Sequence, residues 1–239
     1  MAILSGIHHL GTFLIFSAAV LLLITSISSP VINDIGLMKV TLTNSSDFHR
    51  SSVTFGTYGY CILNAAPART KQDFCTGAHI GYNPAAIMSG IDHTTFSTAS
   101  TDSAKALTRV MVLHPVACGL AFIAFFIALS SGVVGSMLAS FLSAITFIVT
   151  IVAMACDFAL FGIIKNHVNK DGSGSHASYS IAIWTILAAM VALFFATFLV
   201  LFSCCARRRE RRSARVVSKE GYANGTTPRR RRFWQRSYV

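Results

Sequence analysis

The sequence has 239 residues, of which 53% are hydrophobic and only 12% are charged. An average soluble domain has about a quarter charged residues, so the composition argues against an ordinary soluble enzyme. The formal net charge is +11, but residues 206–239 hold twelve of the 20 Lys and Arg and two of the nine acids. The tail therefore carries +10 and the other 205 residues +1. This distribution indicates an apolar membrane protein with a basic tail, and not a nucleic-acid-binding protein.

Four segments are long and apolar enough to cross a membrane, whose hydrocarbon core of about 30 Å requires roughly 20 helical residues. Because a backbone in lipid must satisfy its own hydrogen bonds, we expect these segments to be helices. They contain no Lys or Arg, and Asp157 is their one carboxylate. The predicted spans are residues 7–27, 110–129, 137–160 and 181–203. The fold class predicted is an all-α membrane protein, a bundle of four transmembrane helices.

Arginines directly after the fourth span predict the orientation, because Lys and Arg accumulate on the cytoplasmic side of a membrane. Residues 1–205 then form a four-span domain with both termini in the cytoplasm and with residues 28–109 as an outer loop. Alternatively, the first span is a cleaved signal peptide, since small residues follow it. The boundary arginines are Arg207, Arg208, Arg209, Arg211 and Arg212.

The tail, residues 206–239, is expected to be disordered and to contact anionic lipids. Each basic residue close to an anionic membrane surface contributes about 1 kcal/mol of attraction. Cys204 and Cys205 lie at the inner membrane boundary, which is a usual setting for palmitoylation. A second basic group, followed by an aromatic pair, consists of Arg229, Arg230, Arg231 and Arg232.

The outer loop is patterned like a small antiparallel sheet. Residues 39–43 alternate polar and apolar side chains, and residues 53–57 repeat this period of two. Near the end of the loop, Thr101 or Asp102 is predicted to cap a helix that continues into the second span. The sequence therefore predicts an extracellular β-sheet above the helical bundle.

Two further features depend on the loop lying outside the cell. Cys61 and Cys75 are the only cysteines in the predicted outer segments, and an oxidising compartment favours a disulfide between them over two free thiols. Closing a loop of about fourteen residues stabilises a fold by about 3 kcal/mol in the chain-entropy model. Asn44 begins an Asn-Ser-Ser acceptor sequence and is a candidate for glycosylation.

Asp157 is the most informative polar residue, because a carboxylate at the centre of a membrane helix costs about 2.5 to 3.5 kcal/mol. Its position in the third span predicts a place near the outer boundary, with Arg109 and His114 as partners. A structural ion pair or hydrogen bond, solvation at the membrane surface and a proton-responsive role are the alternatives. Imidazole titrates near pH 6.5, so histidines on this side could respond to external pH, although scattered surface histidines titrate without consequence.

The loop and the second span together carry a specific combination of residues. The loop contains Phe55, Gly56, Thr57, Tyr58, Gly59, Tyr60, Cys61, Cys75, Gly81 and Tyr82. The second span, with its approach from residue 107 onward, includes His114 followed by Pro115. This combination, together with Asp157, resembles the fungal PalI family over residues 1–205.

The resemblance implies a four-span protein of the plasma membrane, with a claudin-like layout, that assists ambient (alkaline) pH signalling. Members of that family are similar to accessory subunits that help a separate seven-span pH sensor to reach or stay at the membrane. Many of them have a long, low-complexity cytoplasmic tail, whereas the tail here is residues 206–239. The alternative function is a structural tetraspan that organises cortical membrane domains or cell-wall-facing contacts.

The sequence offers little support for catalysis. It shows no paired carboxylates, no Ser, His and Asp arrangement, no phosphate-binding glycine loop and no spacing of metal ligands. We therefore expect no enzyme activity and no cofactor.

Overall fold

A computed structural model describes residues 2–43, 51–63, 73–130 and 133–223 of the chain. The described residues form six helices and five strands. In chain order they are α1 (Ala2–Ser26), β1 (Met38–Thr41), β2 (Ser52–Phe55), β3 (Tyr60–Leu63), β4 (Phe74–Cys75), α2 (Pro84–Asp92), α3 (Thr98–Val110), α4 (Leu113–Leu129), α5 (Val133–Val168), β5 (His176–Tyr179) and α6 (Ile181–Ala223).

Four helical segments are long and apolar enough to cross a membrane, which confirms the predicted multi-pass bundle. The segments are Gly6–Ser26, Thr98–Leu129, Val134–Val168 and Ile181–Ala206. The second segment comprises α3 and α4 with a short break between them. α1 and α5 each pack against both α4 and α6, so the helices form a closed ring.

Small side chains line the interior of this ring and large apolar side chains cover its outside. Ala19, Ala121 and Ala189 are fully buried in one cluster between the helices. Phe126 and Phe141, in contrast, are 64% and 65% exposed. Small residues allow helix backbones to approach closely in a membrane, where no hydrophobic effect drives the helices together. The outward-facing aromatic residues are therefore placed to contact lipid.

The predicted antiparallel sheet is confirmed, with the strand order β4-β3-β2-β1-β5. The strand β5, which precedes α6, pairs with β1 and was not predicted from the sequence. One face of the sheet buries Val40, Val53 and Phe55 in a cluster with α2 and the end of α5. We call the sheet together with α2 the sheet layer. It covers one end of the helical bundle.

The Cys61–Cys75 disulfide is confirmed and closes a sequence separation of 14 residues. It joins directly paired residues of β3 and β4. The strand β4 has two residues and only two paired positions, so the covalent link holds a short edge strand in place.

Three sequence predictions differ from the structure. Ser97 caps α3 by accepting a hydrogen bond from the backbone of Ser100 at 3.2 Å, whereas Thr101 and Asp102 lie within the helix. The third membrane helix continues beyond residue 160 to Val168, because its last turns pack under the sheet layer. The tail was predicted to be disordered throughout, but α6 continues without a break through residues 206–223.

Candidate functional site

A buried polar pair links the second and third membrane helices. Nε2 of His114 in α4 lies 2.9 Å from Oδ2 of Asp157 in α5, and the two side chains are 0% and 1% exposed. Met111 and Leu160 on one side of the pair belong to the cluster under the sheet. Ala117, one turn after His114, belongs to the cluster inside the bundle. The pair therefore lies at the junction between the sheet layer and the bundle.

The break between α3 and α4 follows from Pro115. Proline has no backbone N–H, so it cannot donate the usual helical hydrogen bond to the carbonyl four residues earlier, which is that of Met111. The backbone N–H of His114 lies 3.1 Å from this carbonyl oxygen, and the Nδ1 atom of the same histidine lies 2.9 Å from it. His114 therefore satisfies the carbonyl that the proline leaves unpaired.

Two hydrogen bonds connect this junction to the sheet layer. The hydroxyl of Tyr82 donates to the carbonyl of Gly56 at 2.7 Å, and the hydroxyl of Thr108 in α3 donates to the carbonyl of Tyr82 at 2.7 Å. Burial raises the pKa of Tyr82, and the nearby Asp157 carboxylate raises it further. Tyr82 is therefore a neutral phenol that serves as a hydrogen-bond donor.

We call the outer-loop residues from Phe55 to Tyr82 that carry the family resemblance the loop signature. Its other members pack in the same region as Tyr82. Phe55 packs against the rings of Tyr60 and Tyr82, with centroid distances of 6.0 and 6.4 Å. A Cβ atom added to Gly59 would lie 2.5 Å from Oγ1 of Thr76 and 3.3 Å from the Pro30 ring. Gly59 is therefore needed where the β2–β3 turn meets the segment after α1.

Arg109 does not join the pair, although the sequence suggested all three residues as one cluster. Its side chain is exposed and lies over Gly81, where an added Cβ would be 3.0 Å from Arg109 Cγ. Gly81 also has a positive φ of 79°, a backbone conformation that favours glycine. In the described part of the chain, the hydrogen-bonding partner of Asp157 is His114.

A row of buried hydroxyl groups on α5 continues from Asp157 into the bundle. The hydroxyl oxygens of Ser143 and Thr197 in α6 lie 2.9 Å apart, and Thr150 donates to the carbonyl of Thr146 at 2.8 Å. This row was not predicted as a set of buried hydroxyl groups, although its three- and four-residue spacing is visible in the sequence. Its members are Ser136, Ser140, Ser143, Thr146 and Thr150.

Several predicted sites lie at the other end of the bundle or outside the described residues. Cys204 is 4% exposed, whereas Cys205 is exposed, so the thiol of Cys205 is the more accessible of the two. The side chain of Arg209 is exposed. The described residues contain no group of three or more His, Cys, Asp or Glu that could hold a metal ion. Outside the described residues lie Asn44, Arg229, Arg230, Arg231 and Arg232 and the side chains of Arg207, Arg208, Arg211 and Arg212.

The sequence model of the SUR7/PalI family matches residues 7–196, which include the loop signature and the His114–Asp157 pair. The chain belongs to the SUR7/PalI family. The resemblance noted from the residues is thereby confirmed. This SUR7/PalI protein is also 33% identical over 113 residues to a pH-response regulator protein palI/RIM9 from Emericella nidulans. That match covers 47% of the chain and 17% of the length of the relative.

Proposed function

We propose that this SUR7/PalI protein is a non-enzymatic accessory protein of the ambient (alkaline) pH response in the plasma membrane. It assists the placement or stability of a separate multi-span pH sensor. The observation that carries this proposal is the similarity to a pH-response regulator over 113 residues. The bundle supports it, because the outward faces of the closed helical ring are available to lipid and to the helices of a membrane partner.

In the proposed orientation the sheet layer faces the cell exterior and both termini lie in the cytoplasm. The basic tail then meets the anionic inner leaflet through Arg209 and its neighbours, and Cys205 is the acylated cysteine of the pair. Thioester-specific labelling should be lost in Cys205→Ser and kept in Cys204→Ser. Labelling that persists in Cys205→Ser would count against acylation at this site.

The accessory role is tested by deleting the gene and following a fluorescent sensor. Deletion should impair growth at alkaline pH and lower the amount of sensor at the plasma membrane, and the intact gene should restore both. A tagged copy of this protein should also retain the sensor when it is purified in mild detergent. Normal alkaline growth together with normal sensor placement in deletion cells would overturn the proposal.

A structural tetraspan that organises cortical membrane domains is the second candidate. It is favoured by the family match itself, because the matching description covers SUR7 as well as PalI. Fluorescence imaging separates the two functions. Cortical patches of this protein that persist unchanged after loss of the sensor, in cells that respond normally to pH, would support the structural role.

A further inference from the structure

His114 directs both of its ring nitrogens at oxygen atoms. Nδ1 lies 2.9 Å from the carbonyl oxygen of Met111, which can only accept a hydrogen bond. Nε2 lies 2.9 Å from Oδ2 of Asp157, and an ionised carboxylate likewise only accepts. A neutral imidazole has one N–H and one lone pair. The two contacts therefore require one proton more than a neutral histidine and an ionised aspartate provide.

We infer that His114 and Asp157 form a buried proton-binding site, which holds one exchangeable proton between Nε2 and Oδ2. The occupied site is either imidazolium with carboxylate or neutral imidazole with carboxylic acid, and these two forms contain the same number of protons. When a base removes the proton, the net charge of the pair changes from zero to minus one. One nitrogen lone pair then faces an oxygen lone pair, so one of the two contacts must be lost.

Other groups around the pair do not supply this proton. The Tyr82 phenol already donates to the Gly56 carbonyl, and the Cys118 thiol donates to a carbonyl of α1 at 3.7 Å. Cys156 neighbours Asp157 in α5 but is partly exposed. Arg109 in α3 is turned toward Gly81.

The remaining helices packed against the pair add no fixed charge. The ring is completed by α1 and by residues 181–206 of α6, and neither segment contains Asp, Glu, Lys or Arg. The histidines of α1 lie at the opposite end of the bundle, where His8 contacts the carbonyl of Ala128. Asp157 is therefore the acidic group that faces His114 among the described residues.

Release of the proton would loosen the connection between the sheet layer and the bundle. Losing the Nε2 contact removes this hydrogen bond between α4 and α5, and losing the Nδ1 contact leaves the Met111 carbonyl with the backbone N–H of His114 alone at the helix break. Met111 itself packs in the cluster under the sheet. Proton binding is independent of the proposed function, but its use as a signal of ambient pH rests on that function.

The first experiment compares the thermal stability of three forms of the full chain in lipid nanodiscs, from about pH 5 to about pH 10. This range brackets the ordinary imidazole pKa of about 6.5. In Asp157→Asn the amide N–H can donate to Nε2 while Nδ1–H donates to Met111, so both contacts form without the extra proton. Asp102→Asn is the matched control, because Asp102 is exposed on α3.

We expect the Tm of the wild type and of Asp102→Asn to fall by about 3 °C or more as the pH rises. The Tm of Asp157→Asn should fall by less over the same range, because this variant keeps Asp92 but lacks the buried pair. Infrared and ¹⁵N spectra of the wild type give an independent measurement. A protonated carboxyl band or a second ring N–H should be present at low pH, disappear at high pH and be missing in Asp157→Asn. An equal fall in Asp157→Asn, or neither spectroscopic signal in the wild type at low pH, would overturn the inference.

An experiment in cells distinguishes proton sensing by the pair from the proposed accessory role. Cells with Asp157→Asn in place of the wild type should keep the sensor at the membrane but respond at a shifted pH. An unshifted response in these cells, while deletion cells fail to respond, would refute pH sensing by the pair and leave the accessory role standing. A normal response in deletion cells would refute the accessory role, and the spectra of the purified protein would still decide proton binding.

Discussion

Gly56 packs so closely against the backbone of Ser29 that a Cβ atom added at this position would collide with it. Its carbonyl also accepts the hydrogen bond of Tyr82. We expect Gly56→Ala to destabilise the protein by about 1 to 3 kcal/mol, as is usual for overpacked sites. At roughly 2 to 4 °C for each kcal/mol in a chain of this size, the loss is measurable as a lower Tm in detergent.

Gly90 provides the matched control for this prediction. It is an exposed residue within α2, and an added Cβ there meets nothing within 4 Å. Alanine is favoured over glycine inside a helix by up to about 1 kcal/mol, so Gly90→Ala should leave the Tm unchanged or raise it. A Tm of Gly56→Ala at or above the wild-type value would show that the Ser29 contact can relax.

Asp92 at the end of α2 should make stability depend on pH in the acidic range. Burial raises the pKa of its carboxyl, the Asp171 carboxylate raises it further, and hydrogen bonding from Ser175 and the charge of His93 partly offset this. Because the folded pKa lies above the unfolded value of about 3.9, the protonated form stabilises the fold below that value. This contribution is lost as the pH rises through the raised folded pKa.

The substitution Asp92→Asn removes the charge and keeps an acceptor for the Ser175 hydroxyl, which lies 2.9 Å from Asp92 Oδ1. The variant should therefore be more stable than the wild type near neutral pH and equally stable at about pH 3, below the unfolded pKa. Thermal unfolding at the two pH values measures this difference. A gain of the same size at both values would point to a cause other than the carboxylate charge.

At the scale of elements, the disulfide fixes a short edge strand. Cys61 and Ile62 of β3 pair with β4, Thr76 after β4 adds a backbone hydrogen bond to the carbonyl of Tyr60 at 3.1 Å, and Phe74 is 57% exposed. Replacing Cys61 and Cys75 by serine should therefore cost about 3 kcal/mol, the chain-entropy value for a loop of about 15 residues. Reductant should lower the Tm of the wild type to that of the double variant. It should leave the Tm of the double variant unchanged.

Cys156→Ser is the control for the disulfide prediction, because Cys156 is a free thiol in the described chain. This variant should keep the full sensitivity to reductant. If reductant left the wild-type Tm unchanged, the disulfide would contribute little beyond the contacts of the sheet.

The membrane helices could be predicted from sequence because length and hydropathy alone decide which segments cross a membrane. The helix before the second span was also predicted, but its N-cap was placed at Thr101 or Asp102 and not at Ser97. Its Thr- and Ser-rich start looks like a linker, and its helical contacts depend on Ala104 and Thr108, which are buried by tertiary packing. The strand β5 was missed because its partner β1 is far away in the sequence, and strand propensity depends strongly on such context.

The candidate site could be predicted only in part, because tertiary contacts decide which polar residues meet. Asp157 is conspicuous as the one carboxylate in the predicted spans, and a polar group in a membrane needs a partner. The sequence suggested both Arg109 and His114, but helix geometry decides between them. The His114 ring in α4 contacts Asp157 in α5, whereas Arg109 belongs to the preceding helix and packs on Gly81.

At the scale of the whole molecule, the closed ring makes the two ends of the bundle chemically different. One end carries the disulfide-linked sheet layer, and the other continues as α6 into a strongly basic segment. A disulfide persists in an oxidising compartment, and a basic segment after a span favours the cytoplasm. The two ends thus support the same proposed orientation independently of each other.

Two acceptor sequences for N-glycosylation test this orientation. In the sequence, Asn44 comes after β1 and before the second span, and Asn224 comes after α6. Glycans are added on the side that becomes extracellular, so Asn44 should be modified and Asn224 should not. Endoglycosidase should increase the gel mobility of the wild type and of Asn224→Gln but not that of Asn44→Gln. If the mobility shift after endoglycosidase were lost in Asn224→Gln, the tail would lie outside and the orientation would be reversed. A wild type without any glycan would contradict glycosylation at Asn44.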